Sequence, residues 1–278
     1  MNKILTGKPI AESIYGEIEE SVKTIGKKPK MLIYTSKPDK ATKSYMKSIR
    51  KKGEKLNFEI VEKEASENPE EDIEEINNDA SIDGVMVMHP LKNVPHNLIA
   101  EKLEAEKDIE GRTARNFGWL ALDKPIFKPP TAEAVMEILN YYDVDLRGKD
   151  VTIVGRSTTV GKPLALLMLK KGVDATVTIC HSRTKKIENK MKNAEVLVVA
   201  VGKANFVAER YIRNTATVID VGINFVDGKM VGDVDFDSVK DKVKHITPVP
   251  GGVGTVTTAL LFKHLVNASK GIFGEDNG

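Results

Sequence analysis

The sequence predicts an α/β fold built on parallel sheets, and three observations carry that prediction. Apolar runs at 151–154, 176–180, 196–201 and 218–221 recur about 20 to 25 residues apart with helical patterns between them, the spacing of βαβ units. The first run, VTIV, sets four β-branched or threonine residues ahead of Gly155. An apolar helical pattern at Leu164, Leu167 and Met168 follows, so a buried strand turns sharply into a helix. Three more short strands alternate with helices in the first hundred residues and form a second, smaller α/β layer.

In chain order, Ile14, Ile18, Val22 and Ile25 recur at helical spacing with glutamates between them, giving an amphipathic helix over 11–25 closed by Gly26. A strand over 31–35 leads through Pro38 and Asp39 into a lysine-rich helix over 42–56. A strand at 58–61, a helix at 69–76 and a strand at 83–88 ending at His89 and Pro90 complete this layer. Shorter helical pieces over 97–122 are broken by KDIEG at 107–111. Lys128, Pro129 and Pro130 stop the chain, and Thr131 is placed to cap a helix through Tyr142, with Glu133 matched to the positive end of its dipole. Past Gly148 come the four parallel strands, then a hairpin over 224–231 turning at Asp227 and Gly228. TPVPGGVG at 247–254 opens an apolar C-terminal helix, and the tail 274–278 is expected to fray.

Composition narrows the function classes. A chain of 278 residues with 41% hydrophobic and 29% charged residues has room for two modest domains of an ordinary globular enzyme. Net charge is only +2, and glutamates such as Glu17, Glu19, Glu70 and Glu71 offset the lysines between 40 and 55, so these read as a solvated surface and not a nucleic-acid stripe. The single cysteine, Cys180, excludes an intrachain disulfide and points to a reducing cytoplasm. Neither a signal core nor an 18-residue apolar run is present, so no membrane partner is expected.

Candidate chemistry begins at the first strand-to-helix turn. Its GRSTTVG (155–161) departs from G-x-G-x-x-G, yet the helix that follows aims free N–H groups and its positive end at the turn, where a pyrophosphate could sit. By spacing alone an ordinary strand-to-helix junction fits as well. At the end of the second strand, CHSRT (180–184) offers no carboxylate for a ribose hydroxyl but does offer Ser182 and Arg183. With Arg156 as a second cation this favours NADP over NAD, an incidental surface arginine being the alternative reading. Ser157 reads as a backbone or phosphate contact. The histidines at 89, 96, 181, 245 and 264 form neither HExxH nor a set with a cysteine pair, so they read as structural and no metal site is expected. A serine nucleophile has no G-x-S-x-G elbow behind it. Three glycines and two prolines within 247–254 describe either a stiff loop that another molecule approaches closely or an elaborate helix start.

Together VGRSTTVGKP (154–163), CHSRT (180–184), VAVGK (199–203), VIDVGIN (218–224), GDV (232–234) and TPVPGGVG (247–254) resemble, in this order, the methylenetetrahydrofolate dehydrogenase/cyclohydrolase family. A looser likeness through Ser44 and Tyr45, Asp83 and Gly84, and KDIEG extends the resemblance over essentially the whole chain. It implies a three-layer α/β folate-binding domain over 1–122 plus 255–278. It also implies a Rossmann-like NADP domain over 123–254 with a bridging helix, a cleft between the two, and a homodimer. It further implies hydride transfer from the methylene bridge of methylene-tetrahydrofolate to NADP, then ring opening by water, without a metal. Gly155, Arg156, Ser157, Ser182, Arg183, Gly202 and Ile223 fall at or beside the cofactor positions, and Pro250, Gly251 and Gly252 form the substrate loop.

The likeness breaks at the catalytic positions. The family's lysine four residues after Tyr45 is matched by Ile49, its glutamine on the third strand by Met88, and its second Lys-Asp-x-Asp-Gly aspartate by Glu110. PPTA (129–132) stands for its Pro-Cys-Thr-Pro. Isoleucine cannot move a proton. On a helix Lys47 points nearly opposite to Tyr45, and Lys52 shares its face but lies about 10 Å further along, so neither substitutes geometrically. Losing lysine and glutamine together is coherent, because an unpartnered amide would be a buried liability that methionine removes. The sequence therefore predicts an NADP-dependent methylene-tetrahydrofolate dehydrogenase with weak or absent cyclohydrolase activity. The alternatives are ring opening through another residue, a different reduced pterin as substrate, and a non-catalytic NADP-binding scaffold.

Overall fold

The computed structural model describes residues 3–95 and 97–274, so His96 and the tail 275–278 lie outside the described residues. The chain divides into two compact units, Met1–Ser13 with Pro130–Ala259 and Ile14–Pro129 with Leu260–Gly278.

The N-terminal helix α1 spans Lys8–Ile25. It is followed by β1 (Lys30–Thr35), α2 (Lys40–Lys55), β2 (Glu59–Glu64), α3 (Pro69–Asn78), β3 (Gly84–Val87), α4 (Leu98–Lys102) and α5 (Ala114–Ala121). β1, β2 and β3 make a parallel sheet in the order β2-β1-β3. α2 starts two residues earlier than its apolar periodicity predicts, because the Asp39 carboxylate accepts the Thr42 N–H at 2.8 Å and caps the first turn. β2 outruns its apolar core and pairs residue for residue with β1 as far as Thr35 and Glu64, which suits an edge strand of alternating charge. A buried polar knot pins α3 to β1: the Asp72 carboxylate accepts from Tyr34 Oη at 3.0 Å and from the Ser66 N–H at 2.7 Å, with Lys63 Nζ 3.1 Å away.

The other unit runs through α6 (Pro130–Tyr141), β4 (Asp150–Val154), α7 (Gly161–Leu169), β5 (Thr176–Cys180), α8 (Ile187–Asn193), β6 (Val196–Val199) and β7 (Thr217–Asp220). The hairpin β8 (Asn224–Val226) and β9 (Lys229–Val231) follows, then α9 (Phe236–Val239), β10 (His245–Ile246) and α10 (Val253–Lys270). α6 begins at Pro130 and not beyond a Thr131 cap; proline's fixed φ and missing N–H suit a first helical turn. Five strands form a parallel sheet in the order β10-β7-β6-β4-β5. Its register aligns Val154 with Cys180 and Val199, and Val199 with Asp220, so four strands deliver their next residues to one rim. Chain order reverses across β4, the place where open α/β sheets accept ligands. Among the described residues no helix is long and apolar enough to cross a membrane.

β6 stops at Val199 and not at 201: the Ala200 N–H still reaches the Val154 carbonyl at 2.8 Å, but the three amides after it turn to a side chain. Asp233 accepts the N–H groups of Val201 (2.6 Å), Gly202 (2.9 Å) and Lys203 (2.8 Å), plus the Asn224 amide at 2.9 Å. Asp220 in turn accepts from the N–H groups of Gly222, Asp233 and Val234 at 2.9 to 3.0 Å. Only glycine fits beside it at 232, where a Cβ would lie 1.8 Å from Asp220 Oδ2. The VIDVGIN and GDV motifs are thus two halves of one carboxylate-to-backbone lock.

Burial, assisted by the Asp233 charge and opposed by the three N–H bonds, pushes the Asp220 carboxyl up to about 6. That lies above the unfolded value of about 3.9, so the stability linked to its proton is fully present below pH ~4 and lost as pH rises through ~6. The loss amounts to roughly 3 kcal/mol. Urea unfolding across this window is expected to show that fall in the wild type and its absence in Asp220→Asn; an equally steep fall in the variant would contradict the assignment.

Candidate active site

Sequence alone leaves open whether the GRSTTVG turn is more than a junction. The structure sets a cavity of about 550 Å³ against it, at the carboxyl ends of β4, β5 and β6. Gly155, Arg156, His181, Ser182, Glu188 and Lys203 are among its walls. Gly155 has φ +133°, and a Cβ there would come within 2.2 Å of the Ala200 carbonyl oxygen, so glycine is what lets the β4 and β6 rims close up. Ser157 is not a wall residue. Its Oγ accepts the Val160 N–H at 3.1 Å and its carbonyl accepts the Lys162 N–H at 3.0 Å, which shapes the turn that opens α7.

The remaining cofactor positions sort differently from the sequence expectation. Arg183 lies outside the cavity walls: the 181–184 turn folds so that its N–H donates to His181 Nδ1 at 3.2 Å and its side chain is exposed. With Nδ1 accepting, His181 carries its proton on Nε2 when neutral. Gly202 serves through its N–H to Asp233, and Ile223 is exposed beyond the rim. His181, Glu188 and Lys203 were not foreseen. His181 sits at the strand-end position where a carboxylate was sought, while α8, which brings Glu188, left only a short polar pattern.

These walls fit NADP. A hydroxyl at Ser182 and cations at Arg156 and Lys203 meet the needs of a ribose phosphate, and no carboxylate ends β5. Among the described residues no group of three or more His, Cys, Asp and Glu could hold a metal ion.

In the unit of residues 14–129 and 260–278, Tyr45 projects from α2 with 44% of its surface exposed. Desolvation near its hydroxyl, ahead of the Glu110 charge, pushes its pKa up to about 12. Glu110 Oε2 accepts the Val87 N–H at 2.7 Å, while Oε1 has only Arg112 at 3.8 Å. Burial raises the Glu110 pKa, against the pull of Arg112 and of the Val87 bond. Ile49, only 1% exposed, belongs to the buried face of α2 with Met46 and Leu56, and Met88 is 6% exposed at the end of β3. Neither position offers a protic group.

The loop at 247–254 is occupied by its own chain. The Gly251 carbonyl accepts the Gly7 N–H at 2.8 Å, the Gly252 carbonyl accepts the Thr255 N–H at 3.1 Å, and Pro250 is exposed.

Comparison with known proteins covers both halves of the chain. Residues 5–110 match the catalytic domain of tetrahydrofolate dehydrogenase/cyclohydrolase, and residues 129–272 match its NAD(P)-binding domain. The chain belongs to the tetrahydrofolate dehydrogenase/cyclohydrolase family. Bifunctional protein FolD of Kosmotoga olearia is 55% identical over 275 residues, covering 99% of each chain. A crystal structure of the bifunctional FolD enzyme from Campylobacter jejuni superposes with a TM-score of 0.90 at 34% identity, over 96% of this chain and 98% of that one. The Trypanosoma brucei FolD, solved with NADP cofactor and an inhibitor, gives 0.87 at 30% identity, over 96% and 97%. In this tetrahydrofolate dehydrogenase/cyclohydrolase, Arg156→Ala is expected to weaken NADP binding about 10- to 100-fold, the range of a lost charge-assisted contact. Arg183→Ala should change it by less than about 3-fold; titration calorimetry of the two variants checks the order, and the reverse order would contradict it.

Proposed function

We propose that this chain oxidises methylene-tetrahydrofolate with NADP and opens the resulting methenyl ring slowly. The observation that carries the reading is the contrast between an intact nucleotide rim and a folate unit that keeps Tyr45 and, with Glu110 in place of aspartate, a carboxylate, while holding isoleucine and methionine at positions 49 and 88. When bound, NADP supplies the hydride acceptor. Arg156, Ser182 and Lys203 would hold its phosphates and ribose, and the lock of Asp220 and Asp233 keeps the 201–203 amides in place at the rim. Glu110, one oxygen fixed on Val87, presents the other to the amino and ring N–H groups of the pterin.

Hydride transfer depends chiefly on holding two reactants in register, whereas ring opening needs a group that removes a proton from water. Ile49 and Met88 leave the first requirement intact and strip the usual means for the second. Glu110→Ala is expected to lower kcat/KM for methylene-tetrahydrofolate by about 10- to 100-fold, read from NADPH formation. An unchanged value would remove Glu110 from the site.

The protein is further proposed to be a cytoplasmic homodimer. The β8–β9 hairpin carries Phe225, 70% exposed, with Val226 and Met230 also open to solvent, an apolar patch suited to a second copy. A one-chain mass in light scattering would contradict this.

A further inference from the structure

The turn that carries Glu110 also carries a cation, and both side chains reach back to one residue of β3. Asp108 Oδ2 accepts the Thr113 N–H at 2.7 Å and the Asn116 amide at 2.9 Å, and its carbonyl accepts the Gly111 N–H at 3.0 Å, so the chain doubles back tightly. Gly111 permits this: its φ is +62°, and a Cβ there would lie 2.6 Å from the Phe127 carbonyl oxygen. Glu110 and Arg112 flank that glycine. Val87, the last residue of β3, receives both. Its N–H donates to Glu110 Oε2 at 2.7 Å, and its carbonyl accepts from Arg112 Nη1 at 3.5 Å. The same Nη1 lies 3.8 Å from the other glutamate oxygen, Oε1. One strand-end residue thus sets a guanidinium beside the carboxylate oxygen that it does not itself bind.

The pair is largely withdrawn from water, with the Glu110 side chain 18% exposed and that of Arg112 21%. Burial favours the neutral acid, while the Arg112 charge and the Val87 bond oppose it, and burial wins. The difference matters to a ligand edge made of N–H donors: a carboxylate accepts from it with both oxygens, whereas the neutral acid presents an O–H donor of its own. Besides Arg112, the groups that face Glu110 are Asp108 of the same turn, whose charge adds to the effect of burial, and Tyr45 from α2; β3 contributes the Val87 backbone. Arg112 is the cation of this set.

We propose that Arg112 is a positioning residue for folate binding: braced on the Val87 carbonyl, it keeps Glu110 ionised and its free oxygen turned toward the N–H groups of the pterin. This rests on the folate reading above. No bond forms or breaks in this role, so its loss falls on substrate binding and not on hydride transfer.

The test measures KM and kcat for methylene-tetrahydrofolate from NADPH formation at saturating NADP, from about pH 6 to about pH 8.5. It uses the full chain and Arg112→Gln, Arg112→Met, Arg112→Lys, Glu110→Ala, and Glu110→Ala combined with Arg112→Gln. At pH 7 the Gln and Met variants are expected to raise KM about 10-fold with kcat within about 3-fold of wild type, as when an interaction common to ground and transition states is lost. Without the cation Glu110 takes up its proton at higher pH, so the rise of KM toward acid should begin about 1 pH unit higher than in the wild type. Arg112→Lys keeps the charge, and because the contact runs through one nitrogen and not a bidentate fork, it should return KM to within about 3-fold of wild type. In the Glu110→Ala background Arg112→Gln should add less than about 2-fold.

Arg112→Met serves where Arg112→Gln fails to fold. Unchanged KM and pH dependence in these two variants would overturn the proposal. So would an equal loss in Arg112→Lys with the pH dependence of the wild type, the mark of a purely structural role, or the full loss persisting without Glu110. If the wild type itself forms no NADPH, the folate reading falls and the role of Arg112 with it; wild-type turnover with a KM indifferent to Arg112 counts against Arg112 alone.

Discussion

The Asp233 carboxylate holds the nucleotide unit in working order. It gathers three successive amides at the end of β6 that would otherwise face the rim unpaired, and it is itself held through its own N–H by Asp220. Burying two carboxylates side by side is costly, and the raised Asp220 pKa is the visible sign of that cost. Backbone N–H donors offset it. What results is a rim fixed by the backbone and not by a flexible side chain, on which Arg156, Ser182 and Lys203 line the cavity.

Much of this was legible in the sequence, for physical reasons that differ by element. β4 could be read because a strand of a parallel sheet is covered on both faces and must be apolar throughout. Asp39 and Pro130 moved helix starts by a residue or two, since capping lies outside the apolar periodicity. The lock of Asp220 and Asp233 was invisible except as recurring motifs, because the two carboxylates are joined to each other and to the 201–203 amides across 13 to 32 positions. Arg183 was chosen for standing near a strand end, but a four-residue turn decides which of its neighbours face inward. Tyr15 falls beside the Ile14 and Ile18 stripe of α1, where periodicity assigns it no role, and only the packing of α1 near α2 reveals that Lys52 Nζ stands over its ring.

The two units differ in how strictly each fixes its chemistry. A phosphate rim tolerates little change, because a Cβ at Gly155 or Gly232 would collide with backbone or carboxylate. The folate unit admits isoleucine at 49 because that position lies on the apolar face of α2, where a methyl group packs and an ammonium would have to be desolvated.

The most direct measurement is a single reaction mixture of purified protein, NADP and methylene-tetrahydrofolate in which NADPH and the methenyl compound are followed together. If hydride transfer outruns ring opening, NADPH forms and the methenyl compound accumulates close to the level that its spontaneous hydrolysis alone would leave. NADPH formation with no detectable methenyl compound would contradict the separation of the two steps, and no NADPH at all would contradict the assigned function.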